Sequence, residues 1–521
     1  MKSQALNALA GFAIALTLSC GAFNATAQTS PNDADTRAAK VERERLLRLE
    51  GELEALRDAL KIPGMSAAVA RGGRVVWSKG FGFADYERRV AATPDTPYVI
   101  ASLTKPFAST LLMQLVEQGR VSLDDPMSKY SARFTGDAVK VRHVLTHTSE
   151  GTPGAQYRYN GSRFASLTEV IAKASGKTFR ALLVANILEK LGMNDTVPGH
   201  DVLEKADALS AALGAQTVNR YRRVLDGLAK PYVLYRPERI TLSEYPSRQL
   251  SAAAGLISTV NDLAKFYDAV DRNVLLKRET QALVFTPAVS NGGKTLPYGL
   301  GWFVQTYGAS KLHWHYGYWP NSFSSLVVKI PDEGLTFILL ANSDALSSPF
   351  DGLGAGDVRA SAFASAFLRT FVAEDEYRRA LPAPDWRLGQ KEFESALSRL
   401  KKTAGGYGYD DEAGAHKAIR KWLSNRPAQP VVAQVDPKVY DAYTGQYTLP
   451  PLAVINITRD GDRLMGEIVG QGTAQLLPES ETSFFLKELD ARVTFVKDAT
   501  GKVTHMDVQF NGQKMQAKKV K

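Results

Sequence analysis

The stretch Ser102-Leu103-Thr104-Lys105-Pro106 is the most informative part of this chain, because it sets a hydroxyl and an amine three residues apart. Residues at positions i and i+3 of a helix share a face, so the Lys105 amine can reach the Ser102 oxygen. Proline is tolerated in the first turn of a helix, where backbone N–H groups have no intrahelical partner. The stretch therefore predicts a helix start with Ser102 at its mouth, where the helix dipole favours negative charge.

This pair of side chains is suited to nucleophilic chemistry. A serine hydroxyl is a poor nucleophile at neutral pH and needs a base or a cation beside it. A lysine withdrawn from water has a lowered pKa and can then take a proton. The S-x-x-K pattern also arises by chance at ordinary helix starts, so its meaning depends on the rest of the chain.

The composition excludes several classes of function. The chain has 521 residues, enough for two or three domains, with 44% hydrophobic and 23% charged residues, as in soluble globular proteins. Its formal net charge is +10, but the lysines and arginines are dispersed and no aromatic-basic motif is present, so no nucleic-acid partner is predicted. The expected partner is a small molecule or a peptide. The composition gives no indication of the oligomeric state.

The N-terminus has the pattern of a secretory signal. Residues 1–27 combine Lys2, an apolar run and the small-residue site Ala25-Thr26-Ala27, which predicts cleavage near Ala27 and a secreted or periplasmic protein. The only cysteine, Cys20, lies in this segment, where it faintly resembles a lipoprotein box; Thr17 stands where leucine is usual, so cleavage is favoured over a lipid anchor. No later apolar run predicts a transmembrane anchor. Residues 28–40 are predicted to be a disordered leader.

The order of the predicted elements indicates an α+β fold. A leucine repeat at residues 46–60 predicts an amphipathic helix, and two strand-like runs joined by Arg71-Gly72-Gly73 predict a hairpin. Helical patterns dominate from Ser102 to about Leu250, and strands return from Gly299 onward. We therefore expect one antiparallel sheet flanked by helices, with an all-helical subdomain inserted between its halves.

Two domains joined by a linker follow from this pattern. Residues 41–375 are assigned to the sheet-and-helix domain, residues 376–435 to a helical linker and residues 436–521 to a small all-β barrel. The barrel is indicated by short alternating strands between Asp/Gly turns.

Two further segments carry polar groups suited to catalysis. Tyr157-Arg158-Tyr159-Asn160 places two phenols in a loop before a helix, and a tyrosine beside a lysine can accept a proton from serine. His313 and His315 point to one face of a predicted strand, and Gly317 permits close backbone approach. No third histidine or carboxylate stands at ligand spacing, so no metal is predicted.

Together these motifs resemble class C β-lactamase-type serine hydrolases, the family that includes penicillin-binding DD-peptidases, D-aminopeptidases and esterases. The resemblance covers roughly residues 55–345 and rests on Ser102–Phe107, Val144–Ser149, Ser251–Thr259, Tyr298–Trp302 and His315–Gly317. It also extends to the terminal β segment, which resembles accessory domains of this family. Such a domain either shapes the entrance of the active site or serves as a stability or docking module.

The resemblance implies roles for individual residues. Ser102 would be acylated, Lys105 and Tyr159 would pass the proton, and His315 would anchor the substrate or polarise the tyrosine. The implied substrate-binding residues are Asn160, Gly317 and Tyr318, with the backbone N–H groups of Ser102 and Tyr318 as the oxyanion pocket. No cofactor is implied.

Two departures from the family pattern affect the expected activity. The position of the usual asparagine falls on Gly161, one residue after Asn160, and histidine replaces lysine in the third motif. Tyr157 stays open as an alternative base to Tyr159. The sequence predicts an exported serine hydrolase that cleaves an amide or ester bond of a small peptide or ester through an acyl-enzyme, with slow β-lactam hydrolysis left open. The alternative is an impaired hydrolase-like protein that binds cell-wall peptides.

Overall fold

The computed structural model describes residues 31–204, 213–236, 238–246, 249–372, 383–403, 409, 411–427, 431–449, 453–468, 472–486, 491–510 and 513–520. The predicted signal peptide at residues 1–27, its cleavage after Ala27 and Cys20 lie outside the described residues.

The strands before the C-terminal segment form one large sheet and two small ones. Their bounds are β1 Gly64–Arg71, β2 Arg74–Asp85, β3 Val90–Ala91, β4 Tyr98–Val99, β5 Tyr232–Tyr235, β6 Arg239–Leu242, β7 Ile257–Ser258, β8 Phe303–Tyr307, β9 Ser310–Trp319, β10 Phe323–Ile330 and β11 Leu335–Ala341. The large sheet has seven antiparallel strands in the order β3-β2-β1-β11-β10-β9-β8. Strands from residues 64–91 and from residues 303–341 thus share one sheet, which confirms the predicted α+β fold with helices inserted between its halves.

The α-helices cover both faces of this sheet. Their bounds are α1 Pro31–Ala59, α2 Thr104–Glu117, α3 Val141–Leu145, α4 Gly161–Ala165, α5 Leu167–Ser175, α6 Phe179–Leu183, α7 Ala215–Asp226, α8 Val260–Asp271, α9 Arg278–Val284, α10 Gly352–Ala355, α11 Ala362–Phe371, α12 Gln390–Thr403 and α13 Glu412–Ser424. In the described part of the chain, no helix is both long and apolar enough to cross a lipid bilayer.

Alternation along the central strands divides the core into two layers. Every residue of β10 is buried; Val327 packs with the inserted helices, whereas Leu326 and Val328 pack on the opposite face. On the first face Phe107 of α2 stacks on Phe266 of α8 with ring centroids 3.7 Å apart. Helix α2, which follows Ser102, is therefore held firmly against the sheet by apolar burial.

Helix α1 differs from its predicted start. Its leucines behave as the repeat predicts, since Leu49, Leu53 and Leu56 are fully buried. However, the helix begins at Pro31, so residues from Pro31 onward in the predicted 28–40 leader are helical rather than disordered. This stretch is polar, but residues 31–40 include three alanines, one arginine and one lysine, which favour helix without any apolar face.

The described part of the predicted linker is built into the second layer of the core. Trp386, Phe393 and Ile419 from this segment are buried among the residues of the second face. Nearby, the buried Arg369 guanidinium of α11 forms ion pairs with Glu52 of α1 and Glu412 of α13. Helices α12 and α13 are thus more than a connection between two domains.

The C-terminal strands close into an antiparallel barrel, as the sequence predicts. The strands are β12 Gly445–Leu449, β13 Ala453–Asp460, β14 Arg463–Ile468, β15 Gly472–Pro478, β16 Ser483–Leu486, β17 Ala491–Lys497, β18 Val503–Phe510 and β19 Gln513–Lys519. Its interior is a separate core, in which Tyr443 stacks on Phe495 at 4.3 Å between ring centroids.

Candidate active site

Ser102 lies in a short 3₁₀ turn, Ala101–Leu103, that leads directly into α2. Ala101 has φ 47°, in the left-handed region that residues with a side chain rarely adopt. Such backbone strain persists only where neighbouring structure fixes it. Here the Ser325 hydroxyl donates a hydrogen bond of 2.8 Å to the carbonyl oxygen of Ile100, which ties the turn to strand β10.

The Lys105 amine lies beside the Ser102 hydroxyl. Its Nζ donates to Ser102 Oγ at 2.7 Å and to the Ala253 carbonyl oxygen at 3.2 Å. The side chain is fully buried, and neither hydrogen-bond partner is a carboxylate. Burial without a compensating negative charge lowers the pKa of Lys105 to about 7. A substantial fraction of this amine is therefore neutral near pH 7 and able to accept the Ser102 proton.

Tyr159 lies next to this pair. Lys105 Nζ is 5.0 Å from the centroid of the Tyr159 ring, and the Tyr159 hydroxyl has no hydrogen-bond partner among the described residues. Burial, with a further contribution from Tyr316, raises the pKa of Tyr159 well above its usual value, and nearby Ser102 only partly offsets this. Tyr159 is accordingly a neutral phenol in the resting site, so Lys105 is the better proton acceptor of the two.

Tyr157, the alternative phenol, is directed elsewhere. Its hydroxyl donates to the carbonyl oxygen of Gly354 at 3.1 Å. Burial also raises the pKa of Tyr157. Between the two tyrosines, the geometry favours Tyr159 as the one that can act on Ser102.

His315 is fully buried on β9, with its ring centroid 6.2 Å from that of Tyr159. The carbonyl oxygen of Tyr316 lies 2.7 Å from Nδ1, and the Tyr298 hydroxyl lies 2.7 Å from Nε2. A carbonyl can only accept, so Nδ1 carries the proton and Nε2 accepts from Tyr298. Burial, then the Lys105 charge, lower the pKa of His315 well below its usual value, so the ring is neutral.

Gly317 brings strand β9 into contact with the serine turn. A Cβ on Gly317 would lie 2.1 Å from Ser325 Oγ and 2.4 Å from the Ile100 carbonyl oxygen, so no side chain fits there. The following residue, Tyr318, is half-buried and pairs with Ser324 of β10. The structure thus brings Gly317 and Tyr318 next to the turn that carries Ser102.

The side chain of Asn160 forms hydrogen bonds with neighbouring residues of the protein. Its Oδ1 accepts from the backbone N–H of Arg163 at 2.8 Å, which caps helix α4, and its Nδ2 donates to Glu150. These two contacts use the amide oxygen and one of the two N–H donors of Asn160, so the predicted contact with substrate would have to use the second N–H. The next residue, Gly161, faces the site instead: a Cβ there would lie 3.9 Å from Lys105 Nζ.

Two further residues of the site went unrecognised as such in the sequence. Tyr298 fixes the tautomer of His315, and His147 packs its ring 4.3 Å from that of Tyr159. His147 Nδ1 accepts from the backbone N–H of Asn160 at 3.1 Å, so it also positions the loop that carries Tyr159. Both residues lie in segments that carry the family resemblance, which is the signal that could have identified them.

Comparisons with known proteins agree with this geometry. The family model described as Beta-lactamase matches residues 49–358, and a model described as a domain of unknown function (DUF3471) matches residues 429–519. Penicillin-binding protein 4* of Bacillus subtilis (strain 168) is 23% identical over 467 residues, which cover 82% of this chain and 88% of that protein. Protein flp of Staphylococcus aureus (strain MW2) is 24% identical over 324 residues, 54% of this chain and 60% of that protein.

A solved structure shares the fold. The octameric penicillin-binding protein homologue from Pyrococcus abyssi is 21% identical and aligns with 91% of this chain and 100% of that chain at a TM-score of 0.51. The family model spans more than half of the sequence. This chain belongs to the beta-lactamase family and is a serine hydrolase.

Proposed function

We propose that this protein is an exported hydrolase that cleaves an amide or ester bond of a small peptide or ester through an acyl-enzyme on Ser102. The observation that carries the proposal is the 2.7 Å contact between Lys105 Nζ and Ser102 Oγ. Burial lowers the pKa of this lysine to about 7, so its amine can accept the Ser102 proton. Export rests on the signal pattern of residues 1–27.

Acylation begins when the neutral Lys105 amine takes the Ser102 proton. The Ser102 oxygen then bonds to the substrate carbonyl carbon, and negative charge collects on the carbonyl oxygen. The backbone N–H groups of Ser102 and Tyr318 are the proposed donors to that oxygen. The Ser102 N–H belongs to the first turn of a helical segment, where such groups lack an intrahelical partner.

The tetrahedral intermediate collapses when the bond to the leaving group breaks and that group receives a proton. The unpartnered Tyr159 hydroxyl is suited to deliver this proton, after which Lys105 reprotonates the phenolate. Water then attacks the acyl carbon and gives a proton to Lys105. The bond between Ser102 Oγ and the acyl carbon breaks, Ser102 takes that proton back, and the acid is released. Neutral His315, held by Tyr298, acts as a positioning residue for strand β9 in this scheme.

The experiment is covalent labelling. The full chain is incubated with a fluorophosphonate and, separately, with a penicillin-type probe, and the modified residue is identified by mass spectrometry. Labelling of Ser102 that disappears in Ser102→Ala is expected with the fluorophosphonate, and slow turnover is expected with the penicillin. Unchanged labelling in Ser102→Ala, or labelling elsewhere, contradicts the assignment.

The second candidate is a hydrolase-like protein that binds cell-wall peptides without turnover. The observation that favours it concerns the amide expected to contact substrate. The Asn160 amide caps helix α4 and donates to Glu150, and the next residue, Gly161, has no side chain. Hydrolysis of a chromogenic ester separates the two candidates. Turnover that is lost in Ser102→Ala and reduced in Tyr159→Phe supports the enzyme, whereas binding of peptide with no turnover supports the second candidate.

A further inference from the structure

Two buried hydroxyl groups bond the peptide groups that carry the proposed oxyanion donors. In a planar trans peptide group, the carbonyl oxygen and the N–H of the following residue point in opposite directions. The Tyr318 N–H therefore belongs to the same rigid unit as the Gly317 carbonyl. In the same way, the Ser102 N–H belongs to one unit with the Ala101 carbonyl. A group that holds either carbonyl oxygen also fixes the direction of the N–H at the other end.

The Ser347 hydroxyl holds the first of these peptide groups. Its Oγ donates to the Gly317 carbonyl oxygen at 3.0 Å, and the side chain is buried, with 5% of its surface exposed. The two residues are 30 positions apart in the chain and lie in different elements, since Gly317 belongs to β9 and Ser347 follows β11. This contact is therefore a product of the tertiary structure and not of a local turn.

The backbone around Ser347 is itself held in place. The Ser347 N–H donates to the Asp344 carbonyl oxygen at 3.2 Å, which closes a 3₁₀ turn. The Leu346 N–H in this turn donates to the Ser324 hydroxyl of β10 at 3.2 Å. The Asp344 carboxylate accepts from the N–H of Asn321, in the turn after β9, at 3.1 Å. The Ser347 hydroxyl thus acts on β9 from a fixed position.

The Thr104 hydroxyl holds the second peptide group. Its Oγ1 donates to the Ala101 carbonyl oxygen at 2.8 Å and accepts from the Leu256 N–H at 3.3 Å, and the side chain is fully buried. Threonine hydroxyls in helices often bond a carbonyl three or four residues earlier. Here the carbonyl that accepts belongs to the peptide group of the nucleophile, in a turn whose Ala101 has the strained φ of 47°.

We infer that Ser347 and Thr104 are positioning residues of the oxyanion pocket. Each acts through a backbone peptide group rather than on the reacting atoms, and the inference rests on the acyl-enzyme chemistry proposed above. A hydrogen bond accepted by the carbonyl keeps the N–H in one direction and also polarises the peptide group, which makes the N–H a stronger donor. The benefit is largest in the tetrahedral state, because the charge on the substrate oxygen is greatest there.

The test compares Ser347→Ala and Thr104→Val, which remove the hydroxyls, with two controls. Ser365→Ala is the matched control, because the Ser365 hydroxyl on α11 is buried to a similar degree and donates to the Arg359 carbonyl oxygen at 3.1 Å. Thr104→Ser keeps the hydroxyl. The full chain is assayed with p-nitrophenyl acetate and with phenylboronic acid. The boron of this inhibitor accepts a bond from Ser102 Oγ while the serine proton passes to Lys105, so the adduct reproduces the tetrahedral state.

We expect kcat/KM and the affinity for phenylboronic acid to fall together by about 10-fold in Ser347→Ala and in Thr104→Val. This is less than the loss of about 100-fold or more that follows removal of an oxyanion donor itself. Both controls should stay within about two-fold of the wild type. A variant that only unfolds in part loses turnover, but its folded molecules bind the boronic acid with unchanged affinity.

Each remaining outcome contradicts a stated claim. Unchanged boronic acid affinity in Ser347→Ala or in Thr104→Val overturns the role of that hydroxyl, even if turnover falls. An equal loss of affinity in Ser365→Ala also overturns the inference, because it would show a general effect of losing a buried hydrogen bond. Absence of any hydrolysis that depends on Ser102 in the unmodified chain contradicts the proposed function itself.

Discussion

Among the described residues two lysines are fully buried, and they show how a single neighbour changes the chemistry of an amine. Lys105 contacts a hydroxyl and a carbonyl oxygen, whereas Lys329 of β10 contacts Asp271 at 2.8 Å, the Thr336 hydroxyl at 3.0 Å and the Tyr267 carbonyl oxygen at 3.2 Å. Burial lowers the pKa of both lysines, but at Lys329 the Asp271 carboxylate opposes this effect.

The presence of a carboxylate partner at Lys329 and its absence at Lys105 indicate different roles for the two lysines. Lys329 stays a cation that joins β10 to the end of α8, because its charge is paired and its three hydrogen bonds are made. Lys105 has no carboxylate partner, so its neutral form is accessible near pH 7. The faces of Tyr159 and Phe164 near its Nζ attract the charged form and moderate the loss of hydration. Burial with incomplete compensation of the charge therefore distinguishes Lys105, the lysine proposed to be catalytic, from Lys329.

The largest expected effect is the loss of activity in Lys105→Met. Removing the proton acceptor should lower kcat/KM for a p-nitrophenyl ester by about 1,000-fold. The thermal midpoint should stay unchanged or rise, because an apolar chain replaces an amine that is costly to bury. Lys329→Met, the matched substitution at the other buried lysine, should leave kcat/KM unchanged. A similar loss of activity in both variants would contradict the contrast between them.

The pH dependence of the wild type is the next largest effect. Only the neutral amine accepts a proton, so kcat/KM should rise with pH and level off above the Lys105 pKa of about 7. At pH 5 the value should be about 100-fold below the plateau. Burial lowers the pKa values of His147 and His315 well below their usual value, so neither histidine is expected to set this pH dependence. The measurement is a pH–rate profile with circular dichroism at each pH, and a flat profile from pH 5 to 8 would refute Lys105 as the base.

Removing the partner of Lys329 should reduce stability rather than activity. Asp271→Asn leaves a buried cation uncompensated, and because Asp271 is itself partly exposed, we expect the free energy of unfolding to fall by about 2 kcal/mol. Asp124→Asn breaks an exposed pair with Arg142 and should cost about 0.5 kcal/mol. Urea unfolding of both variants checks this. Equal stability of the two variants would show that the carboxylate is not what holds Lys329 charged.

The smallest predicted effect comes from giving Lys105 a carboxylate neighbour like that of Lys329. Gly161→Asp introduces a carboxylate beside Lys105, as Asp271 does for Lys329, and should move the acid limb of kcat/KM upward by about one pH unit. Gly161→Asn has nearly the same shape without the charge and should leave the limb where it is. The two pH–rate profiles are compared directly, and a common shift would point to shape rather than charge.

Sequence patterns predicted the helices and strands around the site better than the hydrogen-bond and ion-pair partners of individual side chains. The leucine repeat predicted at residues 46–60 lies in helix α1 up to its end at Ala59, and the hairpin predicted around Arg71-Gly72-Gly73 is formed by strands β1 and β2. The role of Asn160 as a cap was missed, because its amide could serve either substrate or helix and only the position of Glu150 shows which. The segment at 376–435 was predicted as a linker because no local pattern indicates that Glu412 meets Arg369.

The sequence by itself determined the serine–lysine spacing, the faces of the helices and the alternation of the strands. These follow from periods of 3.6 and 2 residues, which act over a few positions of the chain. Only the tertiary structure decided which buried lysine lacks a carboxylate, which nitrogen of His315 carries the proton and that Gly161 faces the amine. These depend on desolvation and on contacts such as that of Lys105 with Ala253, 148 positions away, which no local pattern encodes.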